Sequence, residues 1–236
     1  MTCAIPRACA DDVAPADLTR HTLLWLRSDA ALAGASRATP REHVATLNAW
    51  ITADRPVIVR RPGATERVAE HEIAVGLSLP PAPGERRIAA VISRAAIHRI
   101  APPMTVGEAM PALPRPWQRD LHRLVRDAHG IHIDVRIFGS LAWQALTGLP
   151  YVRDGSDADL LLAPSVRDHV SMLIALLTRW EYDTGRRADA ELVFPGDAAV
   201  SWREWSQGRD AQRVLVKSTA RVALMMRGEL LARLSA

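Results

Sequence analysis

Apolar residues fall at every second position over Ile131, Ile133, Val135 and Ile137, a period of two that predicts a strand with one buried face. Gly139-Ser140 then makes a small-residue turn. Leu141, Ala142, Ala145 and Leu146 follow at helical spacing, which puts Ser140 at or near a helix N-terminus, and Gly148 and Pro150 stop that helix. Beyond a polar turn, Asp157-Ala158-Asp159 leads into Leu160–Leu162, a short buried strand with two carboxylates at its mouth. Upstream, Val44, Leu47 and Ile51 predict a helix over Pro40–Ile51 that starts at Thr39 or Pro40. Strands are predicted at Val57–Val59, Val75–Leu79 and Ile88–Ile92, the last two separated by the turn PPAPGE. Pro116–His129 and Val166–Trp180 carry helical apolar stripes, while Ala188–Phe194 and Ala199–Trp205 alternate as strands do. Val214–Val216 reads as a strand, and Thr219–Leu234 as a final amphipathic helix.

These elements group into domains. Ala101–Trp117 holds five prolines and reads as a stiff connector. The chain then divides into a mobile leader (1–21), a small α+β domain (22–100), a linker (101–116) and a second domain (117–236). At 236 residues the apolar content is ample for a core. The leader has no uninterrupted apolar stretch and no later run approaches a membrane span, so a cytoplasmic protein without a membrane role is expected. Cys3 and Cys9, both in the leader, read as free and reduced.

Charge narrows the picture only slightly. A formal charge of +4 and a pI near 9.8 suit phosphorylated ligands, an acidic protein or nucleic acid. No clustered basic tract or nucleic-acid motif is present, so no nucleic-acid partner is expected. Arg60/Arg61 and Arg86/Arg87 stand at strand ends, as solvated termini or as a basic face for an acidic carrier or a phosphate. His122 and His129 read as surface or structural residues.

The chemistry concentrates around Gly139–Asp159. Backbone N–H groups at a helix N-terminus receive phosphate, here beside Gly139 and Ser140. In an extended chain Asp157 and Asp159 project from the same side, where their mutual repulsion is relieved by a hard divalent ion bridged to substrate phosphates. This pairing points to in-line phosphoryl or nucleotidyl transfer. A third carboxylate would orient the attacking hydroxyl, and Asp189 and Glu191, which face away from Leu192 and Phe194, are both candidates. Arg203 could clamp a phosphate or pair within the protein. Trp202 or Trp205 could stack on an adenine ring, with at least one of them given to the core. Among thirty basic residues only Lys217 is lysine, and beside Ser218 it suits a point-charge contact to a triphosphate.

Strand, Gly-Ser, helix and Asp-x-Asp together resemble the polymerase-β-like nucleotidyltransferase superfamily. The longer stretch FGSLAWQALTGLPYVRDGSDADLLL, with GLPYVRDGS between helix and aspartates, is similar to the malonate decarboxylase holo-acyl-carrier-protein synthases, also called phosphoribosyl-dephospho-CoA transferases. The resemblance extends through RPVIVRRPG, LSLPPAPGERRIA and VSWREW and is weakest over the first twenty residues. It implies an α+β fold with a C-terminal nucleotidyltransferase-like mixed sheet flanked by helices. It also implies Mg²⁺ on Asp157 and Asp159, and 2′-(5″-triphosphoribosyl)-3′-dephospho-CoA as donor with its triphosphate tail held by Gly139 and Ser140, Arg203 and Lys217 being the further substrate-binding candidates read above. The acceptor would be a serine of the acyl-carrier subunit of malonate decarboxylase, with Glu191 or Asp189 positioning its hydroxyl. The alternatives are an enzyme of this fold that places a nucleoside monophosphate on another protein or small molecule, and a non-catalytic nucleic-acid-binding module.

Overall fold

The computed structural model describes residues 8–9, 18–28, 41–81, 87–208 and 212–235. The chain forms two compact units, Met1–Pro103 and Met104–Ala236. The expected helix start at Thr39 or Pro40, most of the PPAPGE turn, Arg86 and Cys3 lie outside the described residues.

The first unit is built on an antiparallel sheet of order β1-β6-β2-β3-β4-β5. Its strands are β1 (Ala8–Cys9), β2 (Leu23–Leu26), β3 (Val57–Val59), β4 (Glu72–Ser78), β5 (Arg87–Ser93) and β6 (Ile97–Ala101), with helix α1 over Arg41–Thr52. Leu47, Trp50 and Ile51 of α1 are buried, as are all four residues of β2. Two described parts of the expected leader are tied to the sheet: Ala8–Cys9 pairs with Arg99–Ile100, and the His21 amide donates to Val59 O at 3.0 Å. Arg60 is not a solvated strand end. It grips Glu66 with two hydrogen bonds, 2.6 and 2.5 Å, and donates to Val75 O at 2.9 Å. Glu66 also accepts from the Gly63 amide at 2.9 Å. That guanidinium, foremost, and the Gly63 amide hold the Glu66 carboxyl below its ordinary value.

The second unit carries a six-stranded mixed sheet of order β12-β11-β10-β9-β8-β7. In chain order its elements are α2 (Val106–Ala109), α3 (Arg115–His129), β7 (Val135–Ile137), α4 (Gly139–Thr147), β8 (Ala158–Leu162), α5 (Arg167–Thr184), β9 (Ala188–Phe194), β10 (Ala198–Ser201), α6 (Trp202–Gln207), β11 (Arg213–Lys217), β12 (Val222–Met226) and α7 (Arg227–Leu231). All pairings are antiparallel except β8 with β9, whose parallel register needs the α5 crossover. One sheet face, with Ile137, Leu160, Leu162, Leu192, Phe194, Val214 and Val216, is buried. Leu121 and Leu124 of α3 and Leu173 and Leu177 of α5 are buried too. The Trp180 indole donates to Asp120 O at 2.8 Å and joins the two helices.

Four sequence expectations are corrected here. The strand expected from Ile131 is only Val135–Ile137, because the amides of Ile131 and Ile133 both donate to Ala128 O and close the end of α3, with His132 at φ +58°. Residues 104–113 are a packed part of the second unit rather than a bare connector. Thr105 and Glu108 form a reciprocal capping box for α2, Met104, Val106, Ala109 and Leu113 are buried, and Pro111 and Pro116 fall in the first turns of the 3-10 turn 110–112 and of α3, where a missing N–H costs no helical hydrogen bond. The run Ala199–Trp205 changes from strand to helix at Trp202, since Trp202 and Trp205, three apart, are both buried on one helical face. The final helix expected over Thr219–Leu234 gives way to β12, which takes five register pairs with β11, followed by the short α7.

Candidate active site

Gly139 is the pivot of the site. Its φ of +61° lies in the left-handed region, and a Cβ added there would fall 1.8 Å from Asp159 Oδ2. The Asp159 carboxylate therefore occupies the space that any other residue at 139 would fill. The same aspartate holds the turn through its backbone, for the Phe138 amide donates to Asp159 O at 3.1 Å. Helix α4 begins at Gly139 with no side-chain cap at Phe138, so its first-turn amides, Ser140 among them, open beside that carboxylate.

Strand register arranges the rest. Asp159 lies opposite Asp189, and Leu161 opposite Glu191, in the parallel β8–β9 pair. Asp157, Asp159, Asp189 and Glu191 thus share the sheet face opposite the helix-covered one. Asp189 is exposed and directly beside Asp159. Glu191, one pair further along, is only 5% exposed and accepts from Lys217 Nζ at 3.2 Å. Lys217 reaches it from β11 across β10, whose residues on that face, Ala199 and Ser201, are small. Asp189 is the better placed of the two candidates to share a ligand with Asp159, while Glu191 holds the lone lysine on the same face. Arg203 is placed elsewhere: it pairs with Glu181, donates to Ala188 O at 3.3 Å and lies over the Trp202 ring at 4.8 Å. Both tryptophans are buried; Trp202 donates to Ala188 O at 3.1 Å, and Trp205 stacks on Phe194 at 5.0 Å between centroids.

The family model described as phosphoribosyl-dephospho-CoA transferase MdcG C-terminal domain matches residues 104–228, and that of the N-terminal domain matches residues 19–103. The chain belongs to the phosphoribosyl-dephospho-CoA transferase MdcG family. It is 42% identical over 199 residues to a phosphoribosyl-dephospho-CoA transferase of Xanthomonas campestris pv. campestris (strain 8004), covering 84% of this chain and 89% of that protein. It is 40% identical over 212 residues to the protein of that name from Xanthomonas axonopodis pv. citri, covering 89% and 95%. The protein of that name from Bradyrhizobium diazoefficiens is 37% identical over 172 residues, covering 72% and 75%. No solved structure matches the chain.

Within this chain the long segment between α4 and β8 is tied down by residues that sequence reading missed. Gln144 Oε1 accepts from the amides of Tyr151 and Val152 at 3.2 and 2.9 Å, and its Nε2 donates to Ala112 O at 3.3 Å. Tyr151 is buried, with its ring 6.3 Å from that of Trp143. The signal available in the sequence was slight: one amide side chain in an apolar helix and one tyrosine in a polar loop. Arg187 was missed as well. Its carbonyl accepts from the Ala158 amide at 2.8 Å, and its Nε lies 3.7 Å from Asp157 Oδ2.

Among the described residues no three His, Cys, Asp or Glu side chains form a metal-holding group. The donors at this face are nonetheless all carboxylate oxygens. Asp159 on β8 and Asp157 immediately before it suit a hard divalent cation that takes the remainder of its shell from phosphate oxygens and water. Among the described residues no helix is long and apolar enough to cross a membrane.

Proposed function

We propose that this chain transfers the phosphoribosyl-dephospho-CoA group from 2′-(5″-triphosphoribosyl)-3′-dephospho-CoA to a serine of the apo acyl-carrier subunit of malonate decarboxylase, in the cytoplasm. The observation that carries this reading is the juxtaposition of the Asp159 carboxylate with the Gly139 turn and with Asp189 on the neighbouring strand. The first-turn amides of α4 and the Ser140 hydroxyl receive the phosphate chain. Asp157 and Asp159 would hold Mg²⁺, which when bound neutralises charge developing on the phosphate oxygens. Asp189 accepts a hydrogen bond from the serine hydroxyl and takes its proton as Oγ attacks the α-phosphorus. The bond from that phosphorus to the bridging oxygen breaks, and pyrophosphate leaves. Lys217, steadied by Glu191, supplies positive charge on the same face.

Intact mass of the apo carrier, measured after incubation with the protein, the donor and Mg²⁺, tests this. The expected result is an added mass matching the phosphoribosyl-dephospho-CoA group, abolished by chelator. An unmodified, competent carrier beside a folded enzyme would overturn the reading.

A further inference from the structure

The sheet face that bears the carboxylates is buried at Leu161, Glu191 and Ala199 and becomes exposed again beyond them. On β11 and β12 it carries Leu215, 39% exposed, Val222, 42%, and Leu224, 61%, three of the five exposed large apolar side chains among the described residues. Leu215 lies directly opposite Leu224, Lys217 opposite Val222, and the exposed Arg213 opposite Met226. Register carries the same face through Ala199 opposite Lys217 and Ser201 opposite Glu191 to Asp189. Exposed apolar residues gathered on an edge strand and its neighbour mark a surface meant to be covered.

We propose that this patch is the docking surface for the acceptor carrier protein; this deepens the reading given under Proposed function and rests on it. An acceptor whose nucleophile is a side chain of a folded protein must bring its whole body to the reaction face. Sheet spacing of about 4.8 Å places β11 and β12 roughly 10 and 14 Å from β9. A folded domain of about 100 residues has a radius of gyration of roughly 13 Å. One such body resting on Leu215 and Leu224 therefore reaches Asp189 with an exposed serine, whereas a partner bound on the helix-covered face could not. Arg213 and Lys217 stand at the two ends of the apolar centre on β11. The complementary partner surface is apolar in the middle with carboxylates at its rim, which an acidic carrier would supply and a second copy of this chain, at a formal charge of +4, is poorly suited to supply.

The test is steady-state transfer by the full-length protein with the double variant Leu215→Asp/Leu224→Asp, whose sites are exposed and outside the carboxylate cluster. The expected result is a rise of about tenfold or more in KM for the apo carrier, with KM for the triphosphoribosyl donor unchanged and circular dichroism unchanged. Restoring apolarity with Leu215→Met/Leu224→Met should bring the carrier KM back. An unchanged carrier KM overturns the proposal. An equal rise in the donor KM overturns it too, by assigning the patch to the nucleotide. A shift in the mass of the free protein from oligomer to monomer in the Asp variant would make the face a contact between copies of this chain, and that also overturns it. If the wild-type chain modifies no carrier, the proposed function itself falls, a different result from intact transfer with an indifferent variant.

Discussion

At the scale of single residues, Gly139 has two independent reasons to be glycine. A side chain there meets Asp159 and must also adopt φ +61°. Gly139→Ala is expected to cost about 1–3 kcal/mol and to abolish transfer by displacing the carboxylate, measurable by thermal unfolding beside carrier mass. Asp157→Asn and Asp159→Asn preserve shape, so each should remove transfer and leave the melting temperature within a few degrees. The register separates the remaining two acids. Asp189→Asn should lose about a hundredfold or more in kcat, as expected for a lost proton acceptor. Glu191→Gln, which acts through Lys217, should lose less; the reverse order in kcat would assign the hydroxyl-positioning role to Glu191. Alternation along Ala188–Phe194 put both acids on one face, but it could not say which lay opposite Asp159, because register between strands is set by the α5 crossover.

At the scale of elements, the α4 turn and the β8–β9 pair were legible because their patterns are local. A strand's period of two, a helix's apolar spacing and the Gly-Ser punctuation all lie within a few residues. Elements that failed to be read correctly were those with competing periods. In Val222–Met226 the residues satisfy a helical stripe and a strand alternation equally well, and β11 settles the matter by offering five paired residues. In sequence the loop before β8 is only a polar turn, yet Gln144 gives two of its amides an acceptor. Gln144→Ala should therefore cost about 1 kcal/mol globally and speed amide exchange in residues 149–156 well above that in α4, as read by hydrogen–deuterium exchange. Equal protection in that loop would show that Tyr151 packing alone holds it.

At the scale of the whole molecule, acid acts on the first unit through one ion pair. The Arg60–Glu66 pair of the first unit is mostly buried and bidentate. Because the folded Glu66 carboxyl lies below its ordinary value of 4.5, its stabilisation is complete above that value and is lost as pH falls through the lower folded value. Chemical denaturation over that range should show the first unit weakening with acid and Glu66→Gln flattening the dependence. Arg60→Ala should cost about 1–3 kcal/mol near neutrality, since it leaves a mostly buried carboxylate without its main donor. Sequence by itself determined the α+β class, the strand–turn–helix at Gly139, the Asp-x-Asp pair and the resemblance that the family comparison bears out. These rest on short-range periodicity and on residue types whose chemistry is intrinsic. Only the tertiary structure decided which acid faces Asp159, that Arg203 pairs with Glu181, that Lys217 crosses β10 to Glu191, and that β12 extends the carboxylate-bearing face with exposed Val222 and Leu224. Each of those depends on which strand lies beside which, and that is settled by burial and backbone pairing over the whole unit rather than by any stretch of chain.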